Sequence, residues 1–304
     1  MISTHPRPLA ILPRLPLKVK PPRLPRRKAV TVCIAAITLE RRIVTMTDTL
    51  VAYGPYASSD GVTSKLSGIH KNWVAMIAAD DLSQCPAVLM KASNILHGKT
   101  GTLREAIGAF RTAHMEARAE IAASTVLGTF RMSMSEFKEK GKEKFTTQVF
   151  NQLSKEIKGV QIDCEFLVCG QDEKRAPHIF SIDSAGKVFI HDVVGFHAIG
   201  SGGPAAITML LWLGQKSVLT QADTIFNVYA AKFMAESPGV VGERSYLYIK
   251  EFGCMGSVFP TDLDATMRKW WDEKGKPRKD EQVVEHIRRG HFEFIPPLPK
   301  DVYL

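Results

Sequence analysis

The order of strand-like and helix-like segments restricts this chain to few architectures. Short β-branched segments come first, and helical, strand-like, helical and again strand-like segments follow. Such grouping favours stacked layers over the alternating order of a doubly wound parallel sheet. The predicted strands are 30–38, 42–48, 64–69, 73–79, 164–170, 178–183, 187–192, 196–200 and 245–253, and the predicted helices are 80–98, 102–124, 131–158, 203–213 and 217–236.

The first thirty residues differ in composition from the rest of the chain. They contain seven of the 17 prolines and eight basic residues without a carboxylate, a mixture that disfavours helix and sheet. We expect residues 1–30 to be a disordered leader, which is a propeptide, a tail or an artefact of start-site choice. The net charge of +9 belongs almost entirely to this leader, because residues 31–304 hold 32 basic and 31 acidic residues. Nucleic acid is therefore not an expected partner of the body.

Cysteine usage and the apolar runs bear on the compartment. Five scattered cysteines without a CxxC pair predict reduced thiols in a cytoplasmic protein and argue against a disulfide framework or a zinc site. The apolar runs are too short to cross a bilayer, so we expect no membrane partner. The leader lacks the apolar core of a secretory signal, whereas its Arg content and lack of acids leave an organellar transit peptide open.

Three residues at the ends of early strands could act together. Thr31 opens the first strand, Asp48 closes the second, and Lys65 stands at the start of the third. If the first two strands pair through the short LERR turn, the end of the second returns to the start of the first. Asp48 would then lie near Thr31, which taken alone is only a β-branched strand residue.

The chain also has the turn AADD at 78–81 and the sequence AIGSGGPAA at 198–206. Together with Thr31, Asp48 and Lys65, these segments form a pattern that resembles the proteasome β-subunits and their bacterial relatives, which are N-terminal-nucleophile (Ntn) hydrolases. The resemblance covers about 31–250, and the opening TVCIAA looks closest to the compact bacterial proteasome-like proteins. It implies an α/β (α+β) fold, a four-layer αββα sandwich with two antiparallel sheets between helix layers. The implied organisation is the leader 1–30, an Ntn domain over 31–260 and a C-terminal appendage over 261–304.

The resemblance also implies a reaction, the hydrolysis of an amide or peptide bond through an acyl-enzyme on Thr31. A threonine hydroxyl needs a base, and a free α-amine on the same residue can supply one because its ordinary pKa is about 7.7–8.0. Lys65 would lower the pKa of that amine, and Asp48 would hold Lys65 in place. No metal and no organic cofactor is expected.

Substrate contacts are implied at two places. The backbone N–H of Ala79 would stabilise the oxyanion, although the family usually has glycine there, and Asp80 follows it in the same turn. The stretch 50–53, with Leu50 and Ala52, would offer main-chain hydrogen bonds to an extended peptide. An ordinary strand end is an equally compatible interpretation of 50–53.

The GSGG sequence at Gly200–Gly203 allows three interpretations. It is a glycine turn with a serine N-cap, a support in which Ser201 hydrogen-bonds the amine of Thr31, as the resemblance implies, or an anion cradle at a helix N-terminus. The family also places an Asp and a Ser in a later loop. This chain has Glu236 and Ser237 where the Asp is expected, so the supporting network departs from the family pattern.

The proposed mechanism cannot operate while Thr31 is amide-linked to Val30. Either Thr31 attacks the preceding carbonyl and releases 1–30 as a propeptide, or translation begins at Val30 and the initiator residue is removed. The absence of a glycine before Thr31 favours the second route.

By resemblance we expect a homo-oligomer and an unfoldase partner. Two alternatives stay open. The first is a noncatalytic scaffold subunit of the same fold. The second is an anion- or nucleotide-binding module that uses Gly200–Gly203 and whose basic leader binds nucleic acid.

Overall fold

The computed structural model describes most of the predicted domain. The described residues are 31–53, 57–60, 65–79, 82–236, 241–258 and 261–275. The predicted leader 1–30 and residues 276–304 of the predicted appendage lie outside them, so the structure does not test either prediction.

Strands of the described part form two five-stranded antiparallel sheets and one hairpin. The first sheet has the order β10-β1-β2-β11-β12, the second has the order β5-β6-β7-β8-β9, and β3 pairs with β4. The strands are β1 (Cys33–Ile37), β2 (Ile43–Asp48), β3 (Leu50–Tyr53), β4 (Ala57–Asp60), β5 (Leu66–His70), β6 (Trp73–Ala79), β7 (Cys164–Gln171), β8 (Pro177–Ile182), β9 (Val188–Ile190), β10 (Phe196–Ile199), β11 (Ser245–Glu251) and β12 (Cys254–Val258).

Helices cover the outer faces of the two large sheets. Among the described residues they are α1 (Cys85–Leu96), α2 (Leu103–Ala122), α3 (Met134–Lys144), α4 (Thr147–Gly159), α5 (Gly203–Trp212), α6 (Gln221–Glu236) and α7 (Thr261–Trp270). None of these helices is long and apolar enough to span a membrane.

The alternation of side chains along β1 shows how the layers are built. Cys33, Ala35 and Ile37 point into an apolar layer between the two sheets, whereas Ile34 and Ala36 point into a second layer beneath α5 and α6. A third apolar layer joins the other sheet to α1 and α2. A strand that is apolar on both faces must be covered on both, and the predicted four-layer αββα sandwich is confirmed.

Several parts of the fold differ from the sequence prediction. The predicted helix 131–158 is two helices, because Thr146 caps a new helix by accepting from the N–H of Val149. These helices pack on a small separate core that includes Leu127, Phe137 and Leu153. The structure also adds β4 and β12, which cover residues without a predicted element, and α7, where the sequence predicted only an appendage after residue 260.

A histidine between two aspartates ties the β7–β8 connection to the β9–β10 connection. His178 Nδ1 lies 2.7 Å from Asp192 Oδ2, and its Nε2 lies 3.5 Å from Asp172 Oδ2. Burial opposes protonation of His178, but the hydrogen bonds and charges of Asp192 and Asp172 outweigh it and raise the pKa. Because the folded-state pKa lies above the unfolded value of about 6.5, this stabilisation is complete below pH ~6.5 and is lost as the pH rises through the folded-state pKa.

We therefore expect His178→Gln to lower the free energy of unfolding by about 1–2 kcal/mol at pH 6 and by less at pH 9. Urea unfolding at both pH values measures the difference. His97→Gln is the matched control, because His97 is exposed. An equal loss for His178→Gln at the two pH values would contradict the assignment.

Candidate active site

The pairing of β1 with β2 brings Asp48 to the beginning of β1. Cys33 lies opposite Thr47 in the ladder, so Asp48 falls beside Val32. The N–H of Val32 donates to Asp48 Oδ1 at 2.9 Å, and the N–H of Asp48 donates to the Val32 carbonyl at 3.2 Å. The short hairpin therefore places the Asp48 carboxylate one residue from Thr31.

Lys65 joins this carboxylate to the hydroxyl of Thr31. Its Nζ donates to Thr31 Oγ1 at 2.7 Å and to the two Asp48 oxygens at 2.9 and 3.0 Å. The relative exposure of Thr31, Asp48 and Lys65 is 4%, 0% and 2%. A buried ion pair survives only where its remaining hydrogen-bonding capacity is satisfied, and Asp48 also accepts from the N–H groups of Leu50 at 3.2 Å and Gly242 at 3.3 Å.

Ser201 lies against the backbone of Thr31. Its Oγ accepts from the Thr31 N–H at 3.2 Å and donates to the Thr31 carbonyl at 3.4 Å, and the N–H of Gly202 donates to the same carbonyl at 3.0 Å. Gly200 has a φ of +87°, and a Cβ there would lie 2.5 Å from the Thr31 carbonyl oxygen. The turn therefore needs glycine at 200 both for its conformation and for its close approach to Thr31.

The structure argues against the other two interpretations of this turn. The serine N-cap is wrong, because Gly202 is the N-cap of α5 and no side chain caps the helix. An anion cradle is disfavoured, because the N–H of Gly200 donates to the carboxylate of Glu165 at 3.4 Å and the N–H of Gly202 donates to Thr31. An added anion would compete with a carboxylate already at the turn.

Comparisons with known proteins bear on the family and the fold of the chain. A family model described as "Proteasome subunit" matches residues 123–226, which include Ser201 but not Thr31, Asp48 or Lys65. Among solved structures, an Anbu (Gly-1) mutant from Hyphomicrobium sp. strain MC1 matches with a TM-score of 0.55. The match covers 87% of this chain and 100% of the Anbu chain at 16% identity, and so shows the fold alone.

The fold is therefore proteasome-like, and residues 123–226 match the proteasome-subunit family. A search of curated protein sequences found no match. The family match and the structural likeness leave the nucleophile and the activity of this proteasome-like chain as predictions.

The predicted substrate contacts of the proteasome-like site are only partly described. Ala79 ends β6 opposite Cys164, and its φ is not positive, so alanine fits where the family usually has glycine. Asp80 lies outside the described residues. Leu50 and Ala52 belong to β3, whose ladder with β4 occupies one edge of that strand. Binding of a peptide to 50–53 stays a prediction.

In the described part of the chain, two cavities adjoin residues that surround Thr31. The first, of about 480 Å³, includes Lys65 and is otherwise mostly apolar, with Ile77, Leu82 and Leu89 in its wall. The second, of about 700 Å³, includes Ala79 and Ser201. Its ionisable residues are Asp163, Glu165, Asp183, His191 and His197.

The two histidines of the second cavity are held neutral near pH 7. Their rings stack with centroids 3.6 Å apart. Burial, and then the neighbouring His191, lower the pKa of His197 to about 4, and burial also lowers the pKa of His191. The second cavity is therefore acidic, whereas the wall of the first contains Lys65 and no carboxylate.

Among the described residues no group of three or more His, Cys, Asp or Glu side chains is placed to hold a metal ion.

Cys33, two residues after Thr31, is a second conceivable nucleophile. Its Sγ donates to the Ile77 carbonyl at 3.3 Å, and burial raises the pKa of the thiol far above its ordinary value. A thiol that stays protonated is a poor nucleophile. Cys33 is therefore a poor candidate, and Thr31 stays the predicted nucleophile.

The late loop contributes through its backbone. Glu236 forms ion pairs with Lys232 and Arg268, and among the described residues it has no hydrogen bond to Thr31, Asp48 or Lys65. Ser237 lies outside the described residues. Sequence reasoning missed Gly242, whose N–H reaches Asp48, because a backbone donor leaves no side-chain signal.

Proposed function

We propose that this proteasome-like protein is an N-terminal-threonine amidohydrolase that cleaves peptide bonds through an acyl-enzyme on Thr31. One observation carries the proposal: the buried Lys65 ammonium, paired with Asp48, donates a 2.7 Å hydrogen bond to Thr31 Oγ1. A cation beside a hydroxyl stabilises the negative charge that develops on that oxygen when it attacks.

The proposed reaction requires the free α-amine of Thr31. The amine takes the proton of Oγ1 while Oγ1 attacks the substrate carbonyl, and Lys65 stabilises the developing alkoxide. The N–H of Ala79 stabilises the oxyanion, and the proton passes to the departing amine of the substrate. Water then hydrolyses the ester on Thr31 with the same amine as base. Ser201, which contacts the Thr31 nitrogen, orients that amine.

The first cavity supports a substrate with an apolar side chain beside the cleaved bond. Its wall is largely hydrophobic, and burial of an apolar side chain there is favourable in proportion to the area removed from water. We also propose a homo-oligomer, since proteasome-like proteins typically oligomerise, with an unfoldase partner that delivers extended chains.

A peptide epoxyketone tests the proposal because it bonds to both the hydroxyl and the amine of an N-terminal threonine. In a chain that begins at Thr31, we expect one equivalent of inhibitor mass on the N-terminal peptide. Thr31→Ala should take up none, and Thr208→Ala, which changes an exposed threonine of α5, should react like the parent. Intact mass and peptide mapping give the result.

Failure of the folded parent to react would contradict the proposal. Folding is checked by its thermal unfolding transition. The scaffold-subunit alternative would then be favoured, and it would gain further support if Thr31→Ala left the biological activity unchanged.

A further inference from the structure

We propose that Arg268 of α7 is a positioning residue for the candidate active site, acting through the loop residues Val241, Gly242 and Glu243. The catalytic part of this inference rests on the proposed function. The structural part, that Arg268 holds the loop on Asp48, does not.

Consecutive residues of the loop touch two supports of Thr31. Val241 is 6% exposed and packs on the Ser201 turn, where a Cβ on Gly202 would lie 2.7 Å from Val241 Cγ2. The N–H of Gly242 donates to Asp48 Oδ2 at 3.3 Å. The loop therefore connects the turn that binds the Thr31 backbone to the carboxylate that holds Lys65.

Two cations hold the next residue of the loop. The Glu243 carbonyl accepts from Lys232 Nζ at 2.5 Å and from Arg268 Nη2 at 2.7 Å. Both cations also bind the carboxylate of Glu236, and Arg268 does so with two nitrogens. Hydrogen bonds from charged donors are about twice as strong as neutral ones, and a bidentate pair also fixes orientation. Glu236 thus acts on the loop through these cations and does not touch Thr31.

Packing fixes α7 independently of these hydrogen bonds. Met267 and Trp271 are 8% and 3% exposed in the apolar layer beneath the first sheet. The Arg268 guanidinium lies over the ring of Phe233 of α6, 4.1 Å from its centroid, and Trp270 stacks edge-on against Phe226 at 4.5 Å. The position of the guanidinium therefore depends on packing contacts that do not involve the loop.

The contacts form one continuous path from the appendage to the nucleophile. Arg268 holds the Glu243 carbonyl, Gly242 donates to Asp48, and Asp48 holds the ammonium that contacts Thr31 Oγ1. Without Arg268, the Glu243 carbonyl keeps the hydrogen bond from Lys232 and loses the other of its two charged donors. Displacement of Gly242 would leave Asp48 with one N–H donor fewer and would loosen the position of Lys65.

Hydrogen–deuterium exchange on the full chain tests the structural part. We expect Arg268→Ala to speed exchange in the segment around Gly242 about tenfold, as loss of a charge-assisted hydrogen bond predicts. Arg268→Lys, which keeps the charge but not the fork of donors, should give a smaller increase. The matched control is Lys269→Ala, which removes a charge from an exposed neighbour on the same helix. Unchanged exchange in both Arg268 variants would overturn the inference, and the Lys variant alone decides if Arg268→Ala does not fold.

Epoxyketone kinetics on the chain that begins at Thr31 test the catalytic part. Arg268→Ala should lower the maximal rate of modification about tenfold with little change in the concentration for half-maximal rate, because the path acts on the Lys65 ammonium beside Thr31 Oγ1 and does not include the apolar residues of the first cavity. A loss of active fraction without a change in rate would show a purely structural role and overturn the positioning claim. If the parent itself does not react, the proposed function fails while the exchange result still decides whether Arg268 holds the loop.

Discussion

Replacement of Lys65 by methionine in the chain that begins at Thr31 is expected to lower the rate of peptide hydrolysis by about 10²–10³, the range for loss of one preorganised donor to a developing negative charge on oxygen. Methionine keeps much of the apolar length of lysine but gives no donor to Thr31 Oγ1. The same change leaves Asp48 buried and without its cation, which costs about 3–5 kcal/mol of folding free energy. A peptidase assay and urea unfolding measure the two effects.

A double variant separates the effect on catalysis from the effect on stability. Asp48→Asn removes the buried charge and keeps one oxygen, which can accept from the N–H of Val32 as Oδ1 does, although the N–H of Gly242 then loses its acceptor Oδ2. We expect Lys65→Met with Asp48→Asn to recover part of the lost stability while hydrolysis stays at the level of the single variant. Recovery of hydrolysis together with stability would contradict the role given to Lys65.

Any residue left in front of Thr31 is expected to abolish hydrolysis, because an amide nitrogen cannot accept the hydroxyl proton. The chain that begins at Thr31 should exceed the chain that keeps residues 1–30 by about 10²–10⁴ in rate. A chain that begins at Val30 is the sharpest control, since it adds one residue and none of the basic leader. Comparable activity in the three chains, with each N-terminus verified by intact mass, would refute the mechanism.

Mass analysis of protein expressed from its native gene context distinguishes the two routes to a free Thr31. Self-cleavage predicts that Thr31→Ala accumulates the chain with its leader, whereas the parent does not. Initiation at Val30 predicts that neither protein ever carries residues 1–30. A mature chain that begins at Met1 would count against both routes.

Local patterns were enough to predict the part of the site that depends on short-range geometry. The β-branched segments on either side of the LERR turn predicted the β1–β2 hairpin, and the hairpin alone brings Asp48 to the beginning of β1. The position of Ser201 was different, because residue spacing cannot bring a turn 170 residues away onto Thr31. That prediction depended on the family resemblance, and the structure finds Ser201 within hydrogen-bond distance of the Thr31 backbone.

The late loop shows where such reasoning fails. Glu236 was predicted as possible support near the nucleophile, but it pairs with Lys232 and Arg268. Glu236 follows Lys232 by four residues on α6, a spacing that favours an ion pair between them. The pairing of Glu236 with Arg268 of α7 could not be predicted from the sequence, because no sequence period relates residues of separate helices.

The sequence by itself determined the stacked order of strands and helices, the β1–β2 hairpin and the nearly neutral body, since each follows from side-chain periodicity or composition along a continuous stretch. The place of Lys65 beside Asp48 and Thr31 was predicted only with the family resemblance. Tertiary structure alone decided that Lys65 donates to Thr31 Oγ1, that Gly242 donates to Asp48 through its backbone, and that α7 contacts the loop beside the site. These contacts join segments far apart in the chain, and packing of the layers, which no local pattern encodes, brings them within hydrogen-bond distance.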